Sequence, residues 1–328
     1  MTTEQFHKRY AQVKARIEKQ LRLLVSSSEP KSVYEPIKYV LEAGGKRVRA
    51  ALVLLACEAA GGQTNDALHA AVAMEVLHNF TLVHDDVMDN SLLRRGRPTV
   101  HTKWDTNIAI LSGDEMVAYA YQSLLKTKST RQQQIVRTFT DAFIQVCEGQ
   151  GFDKEFETRN DVTLPEYLMM IQKKTARVIS ASCEIGGLIG DGTTREVTAL
   201  RTFGESLGIA FQIQDDLLDI TGTEQQLGKP IGGDILEGKK TYLLLKALER
   251  ATGNDRTILQ KVVRKKTTEK NIIQNVYRIY EQTGVLNDAH KQVLQYTSHS
   301  LQALSRLKES NARMMLHSLA QQLLERNS

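Results

Sequence analysis

Residues 82–100 read LVHDDVMDNSLLRRGRPTV, with three aspartates, Asp85, Asp86 and Asp89, inside five residues and three arginines, Arg94, Arg95 and Arg97, inside the next eight. The stretch LHAAVAMEVLHNFTLV leads into them with apolar residues three to four apart, the spacing of a helix. On a helix turning about 100° per residue, Asp85 and Asp89 lie about 40° apart on one face. Like charges one turn apart cost a few tenths of a kcal/mol, and acid near a helix C-terminus also opposes the macrodipole. A single such cluster reads equally well as a solvated acidic turn. The pattern comes twice, however: QIQDDLLDITG at residues 212–222 repeats the DDxxD spacing with Asp215, Asp216 and Asp219, again after an apolar stretch, LGIAFQI.

Cations resolve such repulsion, and hard oxygen ligands with room for water favour Mg²⁺ over Zn²⁺. Mg²⁺ in turn usually carries substrate phosphates, which accounts for the basic residues beside both clusters. Arg94, Arg95 and Arg97 follow the first, while Lys229, Lys239 and Lys240 follow the second. Arginine offers phosphate a bidentate fork and lysine a mobile point charge. A third basic site, AGGKRVR, sets Lys46, Arg47 and Arg49 after a glycine pair that lets backbone approach an anion. It is not a P-loop, because the GxxxxGK[ST] spacing is missing.

Elsewhere the pattern is helical. YEPIKYVLEA stops at Gly44–Gly45 and VRAALVLLACEAA at Gly61–Gly62. Thr163 and Glu166 make a capping box around Pro165 and open YLMMIQKKTARVISASCEIGG, whose small and apolar residues imply burial on more than one side. Further helices are expected near 195–220, 234–250, 256–283 and 287–326, and none of the five prolines needs to fall inside a helix. Period-two strands are nearly absent, and no linker, repeat or low-complexity segment divides the chain. The expectation is one all-α domain, residues 1–328. A net charge of +5 in 328 residues, spread along the chain, does not call for nucleic acid. No run is long enough to span a bilayer, and no signal-type apolar core follows the N-terminus. Cys57, Cys147 and Cys183 read as buried, reduced thiols, so a soluble cytoplasmic protein is expected.

In order and at plausible separations, GGKRVR, LVHDDVMD followed by RRG, KKTA, FQIQDDLLD and GGDILEGKKTYLL resemble the trans-isoprenyl diphosphate synthases of the polyprenyl synthetase family over roughly residues 35–246. DDxxD alone would be shared with terpene cyclases. The resemblance implies head-to-tail condensation of isopentenyl diphosphate with an allylic diphosphate. It also implies an isoprenoid synthase-type helical bundle around a deep central cavity, usually a homodimer. Up to three Mg²⁺ ions, with Mn²⁺ as a substitute, would be held by Asp85, Asp89 and Asp215, with Asp86, Asp216 and Asp219 as partners. Arg94, Lys174, Thr175, Gln212, Lys229 and Lys239 would contact the allylic diphosphate. Gly45, Lys46, Arg49, His78 and Arg95 would hold isopentenyl diphosphate. Arg97 and Lys240 are read as surface charges. A non-catalytic regulatory subunit is the alternative of another class, against which the intact aspartates argue.

Product length should depend on what closes the space beneath the first cluster. At 1.5 Å per residue, Thr81 lies about 6 Å and Phe80 about 7.5 Å down the helix from Asp85, with Leu77 and Met74 deeper. In the family, aromatic residues at both positions mark short-chain members and small residues at both mark long-chain ones. Phe80 with Thr81, and the lack of a two-residue insertion in the first motif, point to geranylgeranyl diphosphate, with farnesyl or a longer diphosphate as alternatives.

Overall fold

The structure, a computed structural model, describes residues 1–25, 29–222, 231–264 and 271–324. Helices α1 Thr3–Leu24, α2 Lys31–Leu41, α3 Val48–Ala59 and α4 Leu68–Met88 precede a two-stranded antiparallel hairpin, β1 Leu93–Arg94 and β2 Arg97–Pro98. Then come α5 Val100–Lys103, α6 Thr106–Leu125, α7 Gln132–Thr158 and α8 Leu164–Ile171. A π-helical turn, Gln172–Ala176, joins α8 to α9 Arg177–Ile189. The rest is α10 Thr194–Thr221, α11 Gly233–Glu237, α12 Tyr242–Arg250, α13 Gly253–Val263, α14 Ile272–Gln282, α15 Val285–Leu304 and α16 Asn311–Leu324. Among the described residues the hairpin is the only sheet.

Two compact units emerge. One comprises Met1–Phe143, Val178–Gly204 and Ala303–Leu319; the other comprises Ile144–Arg177, Glu205–Gln302 and the residues from Ala320. In the first, α4 packs against α3 and α6, and Ala70 to Leu77, Phe80 and Val83 are all buried. A helix apolar on nearly every side belongs in the middle of a core. Fixed along its length, α4 delivers Asp85–Asp89 as its last turn. In the second unit, α12, α13 and α14 pack together through Leu243, Leu245, Leu259, Val262, Val276 and Ile279, and α8 packs on α12. The box at Thr163 forms as expected: its Oγ1 accepts from the Glu166 amide at 3.4 Å, and Glu166 accepts from the Thr163 amide at 2.8 Å.

Four sequence expectations are corrected. Pro36 lies inside a helix, because α2 starts at Lys31, with Pro30 in the position before it. It leaves the Ser32 carbonyl without an intrahelical donor, at an exposed residue where water can bond it. The helices expected over 234–250 and 287–326 each split in two, while the stretch expected over 256–283 is described as Gly253–Val263 and Ile272–Gln282, with residues 265–270 outside the described residues. Gly238, at φ +65°, closes α11, and Thr241 caps α12; Ser310 starts α16 by accepting from the Arg313 amide at 3.1 Å. In both of these splits a capping group outweighs apolar periodicity. Cys57 and Cys183 are buried, and burial pushes the Cys57 thiol up to about 12, but Cys147 is exposed. Lys240, expected at the surface, is buried, and its Nζ donates to the carbonyls of Glu157 and Val263, both at 3.2 Å.

Candidate active site

In the first unit, Asp85 and Asp89 share one face of the last turn of α4, where the Asp89 amide bonds the Asp85 carbonyl at 2.9 Å. Asp86 turns the other way and is buried. It meets Arg94, whose Nε donates to both carboxylate oxygens at 2.8 and 2.9 Å, and whose Nη2 lies 2.7 Å from Oδ1. Burial raises the Asp86 pKa, and the Arg94 guanidinium opposes that rise. The turn between the strands places Arg95 and Gly96 at φ +53° and +72°, the left-handed pair of a two-residue hairpin. Arg97, expected to be a plain surface charge, lies over the Tyr39 ring at 3.9 Å, while the Tyr39 hydroxyl donates to the Pro98 carbonyl at 2.8 Å. Together they tie the hairpin to α2.

Arg95 donates to the Gly44 carbonyl. At Gly45, φ +132°, a Cβ would stand 2.9 Å from the Arg95 Nη1, so only glycine allows this approach. The next residues continue the cluster. Arg47, left-handed at φ +55° and buried, starts α3, donates to Glu75 at 3.2 Å and to the Leu41 carbonyl at 2.5 Å. Lys46 is exposed, and its carbonyl accepts from the Tyr10 hydroxyl at 2.7 Å. Burial lowers the Arg49 pKa to about 10, against Glu75, which raises it, and with Arg95, which lowers it. His78 is held well below its ordinary range by burial and then by Arg49, Arg95, Arg94 and Arg47. So many cations beside one neutral imidazole form a place for an anion.

That depression has a measurable consequence. With the folded pKa below the unfolded value of about 6.5, the unfolded chain takes up the proton first as pH falls. Stability is therefore full above pH 6.5 and declines below it, by at most about 1.4 kcal/mol per pH unit from this group. In urea melts at pH 7.5, 6.5 and 5.5, wild type should lose more stability than His78→Gln. Equal losses would mean that His78 accepts a proton in the fold.

Of the four residues read for product length, Phe80 is 7% exposed and packs edge to face on Phe143 at 5.5 Å and on His84 at 4.7 Å. Leu77 and Met74 are fully buried, and the Thr81 hydroxyl donates back to the His78 carbonyl at 2.8 Å.

In the second unit, Lys174, Thr175, Gln212, Asp215, Asp216 and Lys239 line one pocket of about 140 Å³. The π-helical turn supplies Lys174 and Thr175, an irregularity frequent at functional sites. Lys174 pairs with Asp153 at 2.6 Å, and Lys239 with Glu237 at 3.0 Å and Asp234 at 3.5 Å. Burial would lower the Lys239 pKa, but Asp234 and Glu237 outweigh it and the net shift is upward. The Thr175 hydroxyl donates to Gln212 Oε1 at 2.9 Å, and Gln212 Nε2 donates to Asp216 Oδ1 at 3.2 Å. Asp216, buried, also accepts from the Tyr167 hydroxyl at 2.5 Å and the Tyr242 amide at 3.2 Å. Burial and then Asp234 raise its pKa to about 7, against those donors. Asp219 is buried and accepts from the Asp234 amide at 3.1 Å, which anchors the start of α11. Lys229 lies outside the described residues.

Sequence reasoning passed over Tyr167, Asp153 and Asp234. Asp234 stood in the quoted GGDILEGKK stretch and Tyr167 in the first turn after the capping box, so proximity to a motif was the available signal. Asp153 had none.

An all-α chain with the DDxxD ladder on two helices has the isoprenoid synthase fold. The polyprenyl synthetase model matches residues 30–280, and the chain belongs to that family. It is 38% identical over 310 residues to the short chain isoprenyl diphosphate synthase of Methanothermobacter thermautotrophicus, covering 94% of this chain and 95% of that one. It is 40% identical over 303 residues to the geranylgeranyl diphosphate synthase of Saccharolobus solfataricus, covering 90% and 91%. Among solved structures, geranylgeranyl pyrophosphate synthetase from Pyrococcus horikoshii superimposes with a TM-score of 0.92 at 35% identity, covering 98% and 99%.

Proposed function

We propose that the protein condenses isopentenyl diphosphate head to tail with an allylic diphosphate to give a short-chain all-trans prenyl diphosphate, geranylgeranyl diphosphate. The observation that carries this reading is the cationic cluster of Arg49, Arg95 and neutral His78 behind the Gly44–Gly45 turn. An enzyme that only ionises one diphosphate and cyclises its chain needs no second anion site of this kind. The same reading takes the whole chain as one catalytic domain, acting as a cytoplasmic homodimer on small molecules and not on nucleic acid. Among the described residues no helix is long and apolar enough to cross a membrane.

The donor set suits Mg²⁺. Among the described residues no three His, Cys, Asp or Glu side chains form a complete protein cage. What the motifs offer is one or two carboxylates at a time, as suits an ion that keeps waters and binds substrate phosphate. In the first unit Asp85 and Asp89, and in the second Asp215, are the residues that would hold such ions, whose charge would be drawn on by the leaving diphosphate. Lys174 and Lys239 bind the allylic diphosphate oxygens as point charges and stabilise the charge that develops there as the carbon–oxygen bond breaks. Thr175 and Gln212 offer oxygens to the allylic cation. Lys46, Arg49 and Arg95 would bind isopentenyl diphosphate, whose double bond attacks the cation; proximity in such a step is worth about 7 kcal/mol or more. No protein nucleophile is required, and the departing diphosphate can take the final proton.

Mass spectrometry of products from dimethylallyl, geranyl and farnesyl primers with isopentenyl diphosphate tests this. A twenty-carbon diphosphate is expected from all three, and a cyclic hydrocarbon from farnesyl diphosphate alone would overturn the reading. In the same assay Phe80→Ala should shift products beyond twenty carbons. An unchanged distribution would remove Phe80 as the stop. Truncating a buried ring costs about 3–5 kcal/mol, so a melt of the variant must accompany the assay.

A further inference from the structure

Thr175, Gln212, Asp216 and Tyr167 form a hydrogen-bonded chain whose directions are not interchangeable. Asp216 is 6% exposed and takes three donors: Tyr167 Oη and the Tyr242 amide on Oδ2, and Gln212 Nε2 on Oδ1. These three donors favour the ionised form, and in that form Asp216 accepts only. The Gln212 amide must therefore turn its NH₂ to Asp216, which leaves its carbonyl oxygen facing Thr175 at 2.9 Å. That oxygen also only accepts, so the Thr175 hydroxyl has to donate and its proton is committed. What Thr175 can turn to the pocket it lines is a pair of lone pairs. A hydroxyl rotated the other way would present a partly positive hydrogen.

We infer that Asp216, braced by Tyr167, is a positioning residue that sets the sign of the dipole Thr175 presents to the pocket. The inference rests on the prenyl transfer proposed above, since an allylic cation is what makes that sign matter. Lone pairs aimed at developing positive charge, fixed before the reaction, act like the preorganised donors of an oxyanion hole with the polarity reversed. Both oxygens of Asp216 are engaged in this work.

Asp216→Asn tests the idea at nearly constant shape. With Tyr167 and Tyr242 still donating to the side-chain oxygen, the new NH₂ faces Gln212. The Gln212 amide then turns over, and Thr175 becomes an acceptor with its hydrogen toward the pocket. The expected result is a fall in kcat of about 10²-fold, comparable to loss of one preorganised donor, with KM for both diphosphates changed by less than about threefold. In a Thr175→Val background the same substitution should cost less than about threefold, because the relay ends at the missing hydroxyl. A full loss in both backgrounds, or a change confined to KM, would overturn the relay and leave the reaction assignment standing. Wild type failing to elongate any primer would overturn the assignment itself. If circular dichroism shows Asp216→Asn unfolded, Gln212→Met replaces it in the same cycle: non-additivity with Thr175→Val supports the relay, and additivity overturns it.

Discussion

Asp85→Ala and Asp215→Ala should each lower turnover by at least about 10³-fold, the equivalent of about 4 kcal/mol of transition-state stabilisation. The buried members of the two motifs are the other aspartates, Asp86, Asp216 and Asp219. Asp86 is committed to Arg94, Asp216 to Tyr167, Tyr242 and Gln212, and Asp219 to the Asp234 amide. Asp85 and Asp215 are only partly buried, so removing either takes away charge without opening a core, and each motif loses part of its like-charge repulsion. Circular dichroism melts should stay within a few degrees of wild type while turnover collapses. Turnover within tenfold of wild type in either variant would remove that residue from the metal-holding set.

Gly149→Ala is the second large effect, and it arises far from either aspartate motif in sequence. In α7 a Cβ at this position would stand 2.4 Å from the Lys174 backbone nitrogen and 2.7 Å from its Cα. Backbone cannot swing aside as a side-chain tip can, so the π-helical turn has to shift. Lys174 and Thr175 move with it, and a misplacement of about 1 Å costs roughly 10²-fold in rate. Overpacking should also destabilise the fold by about 1–3 kcal/mol, more than the roughly 1 kcal/mol that alanine gains over glycine in a helix. Gly151→Ala is the control, since it lies on the same helix, is exposed, and has nothing within 4 Å of its Cβ. It should keep full activity and melt no lower than wild type. Equal behaviour of the two variants would show that the turn does not depend on close approach by α7.

The aspartate ladders, the helix-forming apolar stretches and the Thr163 box were legible because each is a matter of spacing within one or two turns. The π-helical turn was not. QKKTA carries no local sign of it; Gly149 on one side and Gly208, whose Cβ would stand 2.5 Å from the Ala176 Cα, on the other make room for it from distant segments. Lys240 failed for a similar reason, since its burial depends on carbonyls 83 and 23 residues away. Arg94 was read as a substrate cation, and its grip on Asp86 needs the hairpin turn at Arg95–Gly96, visible only once φ is known. Cys147 sits among apolar residues in sequence but faces outward on α7.

The two motifs also differ in how far apart their anchoring partners lie along the chain. Asp86 and Arg94 are 8 residues apart, as are Thr99 and Ser91, whose hydroxyl-to-carbonyl bond closes the same loop. Asp216 needs Tyr242, 26 residues on, and Tyr167, 49 residues back, while Thr175 and Gln212 are 37 apart. Closing a short loop costs less chain entropy and takes less time than bringing such distant segments together. During folding the first aspartate motif is expected to take its shape early, and the second only when most of its own unit has assembled.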